Sequence, residues 1–208
     1  MSVNLTLPSE QDASDLTVFL ERAAKLGCEH VRLIGVGTVL AAYVGVLVPS
    51  GLLDTAPTVL GLRVFERGDS VTVDAVVTIR GMLDRLARPE LTFALPVAES
   101  GIAWAGVSAP RGGWESVGAV SASELEAIAR AGIDEIAGSN GLGTIIVTRA
   151  RRDVWGRPIS SDPAMTQFVA GAAFAAFGLG FLGEDEPLLT RSAKWMRLTT
   201  ARGHILVR

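Results

Sequence analysis

One cysteine (Cys28), one tyrosine (Tyr43), two histidines and two lysines are all that 208 residues hold of those types. Each scarcity excludes something. A lone cysteine cannot close an intrachain disulfide, and it suits a reducing compartment. Cys28, His30 and His204 follow no recognised metal-ligand spacing, so neither a metal nor a cofactor is expected. Lys25 and Lys194 stand against seventeen arginines amid abundant Ala, Gly and Val. GC-rich coding produces that bias, which points to a bacterial cytoplasmic protein. The opening "MSVNLTLPSEQDASD" is acidic and lacks the basic and apolar regions of a signal peptide. A formal net charge of −3 names no polyanionic partner.

Hydrophobic residues are plentiful, at 49%, and two long uncharged runs ask whether the chain enters a membrane. "LIGVGTVLAAYVGVLVPSGLL" (Leu33 to Leu53) has the length of a spanning helix, about 20 residues. Its content argues otherwise. Gly35, Gly37 and Thr38 read as a turn, Pro49-Ser50-Gly51 as a second breaker, and the stretch from Val39 to Val48 as strand. A buried antiparallel hairpin is expected. The second run, Pro163 to Gly183, carries four glycines and Gln167 among its alanines and phenylalanines. It reads as a core helix over residues 163–182, not a span.

Along the chain, Leu16, Phe19, Leu20, Ala23 and Leu26 repeat at helical spacing, with Asp12 or Ser14 as N-cap and Gly27 closing the helix. Strands are expected at 31–36, 39–48, 58–66 and 70–77, and Thr78 should cap a short helix. A strand at 91–95 precedes a loop-like stretch, 99–116, the one place where the chain would divide if it forms two lobes. Ser121 with Glu124, or Ser123 with Glu126, makes a capping box for a helix that ends at Gly138. In "GTIIVTRARRDVW" the first half favours strand and the second helix; we read helix. Short strands close the chain at 188–192, 195–200 and 204–208. The fold class is α+β: a mainly antiparallel sheet with four to five helices packed on it, in a single globular domain, 1–208.

The stretches "AWAGVSAPRGGWE", "VWGRP" and "WMRLTTARGHILVR" resemble patterns from uncharacterised proteins of GC-rich, actinobacterial-type bacteria. The resemblance covers most of the chain and implies a cytosolic protein. It implies no activity and no site residues.

Charge is unevenly placed. Residues 1–148 hold 10 basic and 17 acidic side chains, and residues 149–208 hold 9 and 5. "TRARRDVWGRPI" (Thr148 to Ile159) concentrates the basic share. If it is helical, Ile146, Val147, Ala150 and Val154 form the buried face, and Arg149, Arg152 and Trp155 point away from it. Guanidinium beside indole can stack on a base or clamp a phosphate or carboxylate, with Arg157 close by. It can equally be a cation–π pair that only covers core. In "PRGGWE", Arg111 and Trp114 flank two glycines, either as a ligand loop or with the indole pinning the loop.

Other candidates are weaker. In "CEH", Cys28 and His30 share a side if extended, but a dyad needs a depressed thiol pKa and an orienting third group. "GSNGLGT" (Gly138 to Thr144) lacks both the Walker A ending and a preceding strand. Asp134-Glu135 are adjacent on a helix and do not face each other; Glu184-Asp185-Glu186 reads as a solvated loop. No acid–base pair emerges. The expected function is therefore a non-catalytic binding or interaction protein, using its basic Arg/Trp surface on an acidic protein surface, a nucleotide or a nucleic acid. The alternative is an enzyme on a small anionic substrate, with Arg111, Arg152 and Arg157 as clamps.

Overall fold

The computed structural model describes residues 3–138 except 50, 52, 53 and 55, and residues 144–208 except 163 and 164. The uncharged run that begins at Leu33 falls into strands β2 (His30–Val36) and β3 (Val39–Leu47), paired antiparallel from Val31↔Val44 to Val36↔Val39. Gly37 turns between them with φ +56°, the positive φ that hairpin turns require and glycine adopts freely. Alternation decides the faces: Val31, Leu33, Leu40, Ala42 and Val44 are all sealed from solvent. Among the described residues no helix is long and apolar enough to cross a membrane.

The chain divides into two units, Met1–Val46 with Leu62–Ser108, and Leu47–Gly61 with Ala109–Arg208. In the first, helix α1 (Glu10–Lys25) buries Leu16, Phe19, Leu20 and Ala23. Its N-cap is Ser9, which accepts from the Asp12 backbone N–H, and not Asp12 or Ser14. The helix starts earlier than the apolar pattern because Glu10 and Asp12 belong in a first turn, where acids favour the helix dipole. Leu26 is the C-cap and Gly27, at φ +86°, follows as expected. The strand order is β5 (Val73–Thr78), β2, β3, then β4 (Val59–Glu66), whose first three residues belong to the second unit. Thr78 caps helix α2 (Ile79–Leu86), accepting from the Gly81 N–H at 3.1 Å. A two-stranded sheet pairs β1 (Asn4–Thr6) with β6 (Thr92–Ala94). The sequence pattern missed β1, three residues with no run to announce them.

In the second unit, strands β7 (Glu115–Ala119), β8 (Leu188–Ser192), β9 (Trp195–Thr200) and β10 (Gly203–Val207) form an antiparallel meander in the order β10-β9-β8-β7. The last three fall almost where they were expected. Strand β7 was unseen, since Gly118 and its small neighbours carry no apolar period, and its register shifts between Ser116 and Gly118. Helix α3 (Ala122–Ala137) is capped by Ser121 and buries Leu125, Ala129, Gly132 and Ile136. Residues 144–155 are helical, as read: α4 (Thr144–Trp155). The expected helix over 163–182 is shorter, α5 (Ala170–Gly178). Val169 before it is extended and bridges Pro158, so the chain there is tied as strand and cannot wind. Residues 163 and 164 of that reading lie outside the described residues. With five α-helices and antiparallel strands among the described residues, the fold class is α+β.

Candidate functional site

Helix α4 carries the arginines that the sequence singles out. Arg149 is exposed and lies 3.8 Å from Asp153, one turn on. Arg152 is half-exposed and sits 3.3 Å from the carboxylate of Asp54, which is only 8% exposed. Arg151 is exposed, with no ion-pair partner among the described residues. Just past the helix, Arg157 makes a bidentate pair with Glu135, at 2.7 and 2.6 Å. Its hydrogen bonds hold the Glu135 carboxyl below the usual range. Beside this helix lies a cavity of about 160 Å³, walled by Leu47, Val48, Pro57 and Trp155, with Arg151 and Arg152 among its lining. The proposed stripe residues Ile146 and Val147 fall outside the described side chains.

Trp155 does not point away from the core, and here the sequence reading is corrected. The indole is 3% exposed, next to an equally buried Val154, and stacks on Phe174 with ring centroids 4.4 Å apart. The cause is a slot of glycines. A methyl group at Gly132 of α3 would collide with the Trp155 ring, and one at Gly171 of α5 would meet the Trp155 backbone and Cβ. The bare backbone of Gly132 admits the flat ring, Gly171 lets α5 approach the α4 backbone and Leu47, and burying the large apolar surface of the indole outweighs exposing it. Gly132 within the apolar stripe of α3 was the available signal.

The second predicted pair differs in exposure. Arg111 is exposed at its loop, whereas Trp114 is half-buried and donates from Nε1 to the Pro110 carbonyl at 3.1 Å. The guanidinium of Arg197, a residue that sequence reasoning missed, lies over its ring, 4.3 Å from the centroid. Alternation along β9 sends Met196 and Leu198 into the core and puts Arg197 and Thr199 on the opposite face. His204 of β10 is the register partner of Thr199, and its Nδ1 is 3.1 Å from the Thr199 hydroxyl. None of the Arg197 guanidinium nitrogens donates to an acceptor among the described residues, and its Nε is fully buried. Burial alone lowers the Arg197 pKa; burial and then the Arg197 charge lower that of His204.

In the first unit, Cys28 and His30 line one cleft of about 610 Å³ with Arg80 and Glu99. The thiol donates to the Gly45 carbonyl at 3.3 Å, and burial pushes its pKa up to about 12. A thiol so protonated is no nucleophile at neutral pH. His30 Nε2 is 2.8 Å from Glu99. Among the described residues no cluster of His, Cys, Asp or Glu is placed to hold a metal ion. Residues 139–143 of the glycine-rich loop lie outside the described residues.

Residues 1–106 match a family model described as "Domain of unknown function (DUF8010)". The chain belongs to the DUF8010 family. Residues 109–208 match a second model, "Domain of unknown function (DUF8185)", which spans α3, α4, α5 and the β7–β10 meander. Arg80, His30 and Glu99 thus fall in the DUF8010 region, and every arginine of the α4 surface in the DUF8185 region. No curated protein matches the chain.

Proposed function

We propose that this DUF8010 chain is a non-catalytic binding protein whose second unit takes an anionic partner, such as an acidic protein surface, a nucleotide or a nucleic acid, on the outward face of α4. One observation carries the reading. The apolar cavity beside α4 is lined at once by Trp155, by Asp54 with its partner Arg152, and by Arg151, which has no ion-pair partner among the described residues. A partner with an apolar group and an adjacent negative charge fits that mixture. Arg149 and Arg152 add positive potential but already face Asp153 and Asp54, and Arg157 is held by Glu135, so Arg151 is the residue to test. The arginine-rich, cysteine-poor composition supports the cytoplasm of a GC-rich, actinobacterial-type bacterium as the setting.

Titration with a single-stranded oligonucleotide, a nucleotide and a glutamate-rich peptide at low and high salt tests the proposal. Screening and counterion release make charge-driven binding weaken as salt rises. Arg151→Glu should remove binding and leave the melting temperature unchanged. Equal binding at both salt levels, or by the variant, would sink the idea.

A small anionic substrate turned over by an enzyme is the second reading. It is favoured by the cleft in the first unit, where Glu99 orients His30 and Arg80 lies on the lining. Incubation with a panel of phosphorylated and carboxylated small molecules, followed by NMR, decides it: turnover that His30→Ala abolishes would establish the enzyme.

A further inference from the structure

Three part-buried or buried arginines each meet a carboxylate: Arg32 has Asp74, Arg63 has Asp15 and Arg67 has Asp69. Arg197 differs from them. It sits on the sheet face of β9, part-buried, with Trp114 covering one side of its guanidinium and no acceptor in the plane of the other nitrogens. Five N–H donors lie in that plane and are left unused by the described residues. Stacking on indole fixes the fork without consuming any of them, because a cation–π contact uses the face and hydrogen bonds use the edge.

The surroundings are built for negative charge. On the same face stands Thr199, a hydroxyl able to donate, and beside it His204, whose Nδ1 shares a hydrogen bond with that hydroxyl. Arg197 is the charged neighbour acting on His204, and it disfavours the imidazolium. The Arg197 cation, part-removed from water and without a carboxylate partner among the described residues, is a charge that folding alone does not balance. A bound oxyanion relieves it twice. It accepts the in-plane N–H groups of Arg197, and it favours protonation of His204, which then becomes a second donor.

We propose that Arg197, Thr199 and His204, with Trp114 stacked on the guanidinium, form a binding site for a small oxyanion, a carboxylate or a phosphate group. The planar fork selects two oxygens on one centre, a geometry both groups share. The site is independent of the α4 cavity: it needs neither Arg151 nor Trp155.

The protein has two histidines, His30 and His204, so imidazole resonances of the full chain report on the site once His30→Ala has assigned them. Inorganic phosphate and acetate are titrated separately near pH 6, and the tighter probe identifies the group. The expected result is a saturable shift of the His204 signals, with its titration moved to higher pH. Arg197→Met should weaken binding by about tenfold or more, since it removes every charge-assisted bond of the fork. Arg151→Glu should leave it unchanged, which separates this site from the α4 surface. Should Arg197→Met fail to fold, Arg197→Lys retains the charge, loses the fork and should still bind several-fold more weakly. The proposal is overturned if neither probe gives a saturable His204 shift. It is equally overturned if folded Arg197→Met or Arg197→Lys binds as the parent does.

Discussion

Arg67 of the first unit and Arg197 of the second are the two described residues that bury an Nε without an acceptor. Their surroundings differ. The Arg67 side chain is sealed from solvent, its outer nitrogens taken by Asp69 and by the Val71 carbonyl. Asp69 in turn accepts from the backbone N–H groups of Thr6 and Val71, so one carboxylate ties β1 to the approach to β5. Gly35 leaves the space the guanidinium fills; a methyl group there would collide with it. Arg197 has an aromatic face in place of a carboxylate. An arginine whose donors are used in folding fastens the fold, and one whose donors are left over retains capacity for a ligand. The second unit fastens itself differently, by seating the Trp155 ring against Gly132 and Phe174.

The largest test of that contrast is Arg67→Met. Breaking a buried pair from one side strands the other charge and costs about 3–5 kcal/mol, so the urea midpoint should fall sharply. A midpoint that barely moves would make Arg67 no more structural than Arg197. Next comes Gly132→Ala, whose new methyl overlaps the Trp155 ring. Overpacking of this kind costs about 1–3 kcal/mol, and near-ultraviolet circular dichroism should report a displaced indole. An unchanged spectrum and melting temperature would show the slot to be loose.

Acid should separate the two modes of fastening. Burial works to raise the Asp69 pKa, but the Thr6 and Val71 N–H groups and Arg67 together hold it below the usual carboxylate value. A depressed folded pKa stabilises above the unfolded value, about 3.9, and that stability is lost as pH falls through the folded value. Protection from hydrogen exchange at Thr6 and Val71, relative to the intrinsic rate, should therefore fall below about pH 4, and Asp69→Asn should remove that dependence. The Trp155 slot contains no titrating group and should show none. The smallest stability effect belongs to Arg197→Met. With no carboxylate left stranded, replacing a part-buried, unsatisfied guanidinium by an apolar chain should move stability by less than about 1 kcal/mol in either direction. A loss comparable to Arg67→Met would mean that Arg197 is structural after all.

Much of the fold was legible where a local period exists. Strand β9 alternates from Met196 to Thr200, the α1 stripe repeats at i, i+3, i+4, and Ser121 and Thr78 sit where their caps were expected. The hairpin of β2 and β3 followed from Gly37 and the valines around it. Legibility failed where a residue's fate depends on a distant one. Trp155 looked outward because helical spacing counts only neighbours on its own helix, whereas Gly132 of α3 and Phe174 of α5 receive its ring. Arg152 looked free because its partner Asp54 belongs to a remote segment. Arg197 passed unnoticed inside "WMRLTT", where alternation says which face it takes and nothing about what meets it there.

Composition and periodicity alone dictate the α+β class, the antiparallel pairing and which side of each element is apolar, because these follow from repeats within a few residues. They also dictate that Arg197 and Thr199 share a face of one strand. Only the tertiary structure decides which arginines are matched by a carboxylate, since an ion pair or a stacked ring joins residues far apart in the chain. Thr199 and His204 meet across a strand register, and Trp114 reaches Arg197 from a loop of its own. No local pattern encodes a missing partner; whether Arg197 keeps its donors depends on every segment that folds around it.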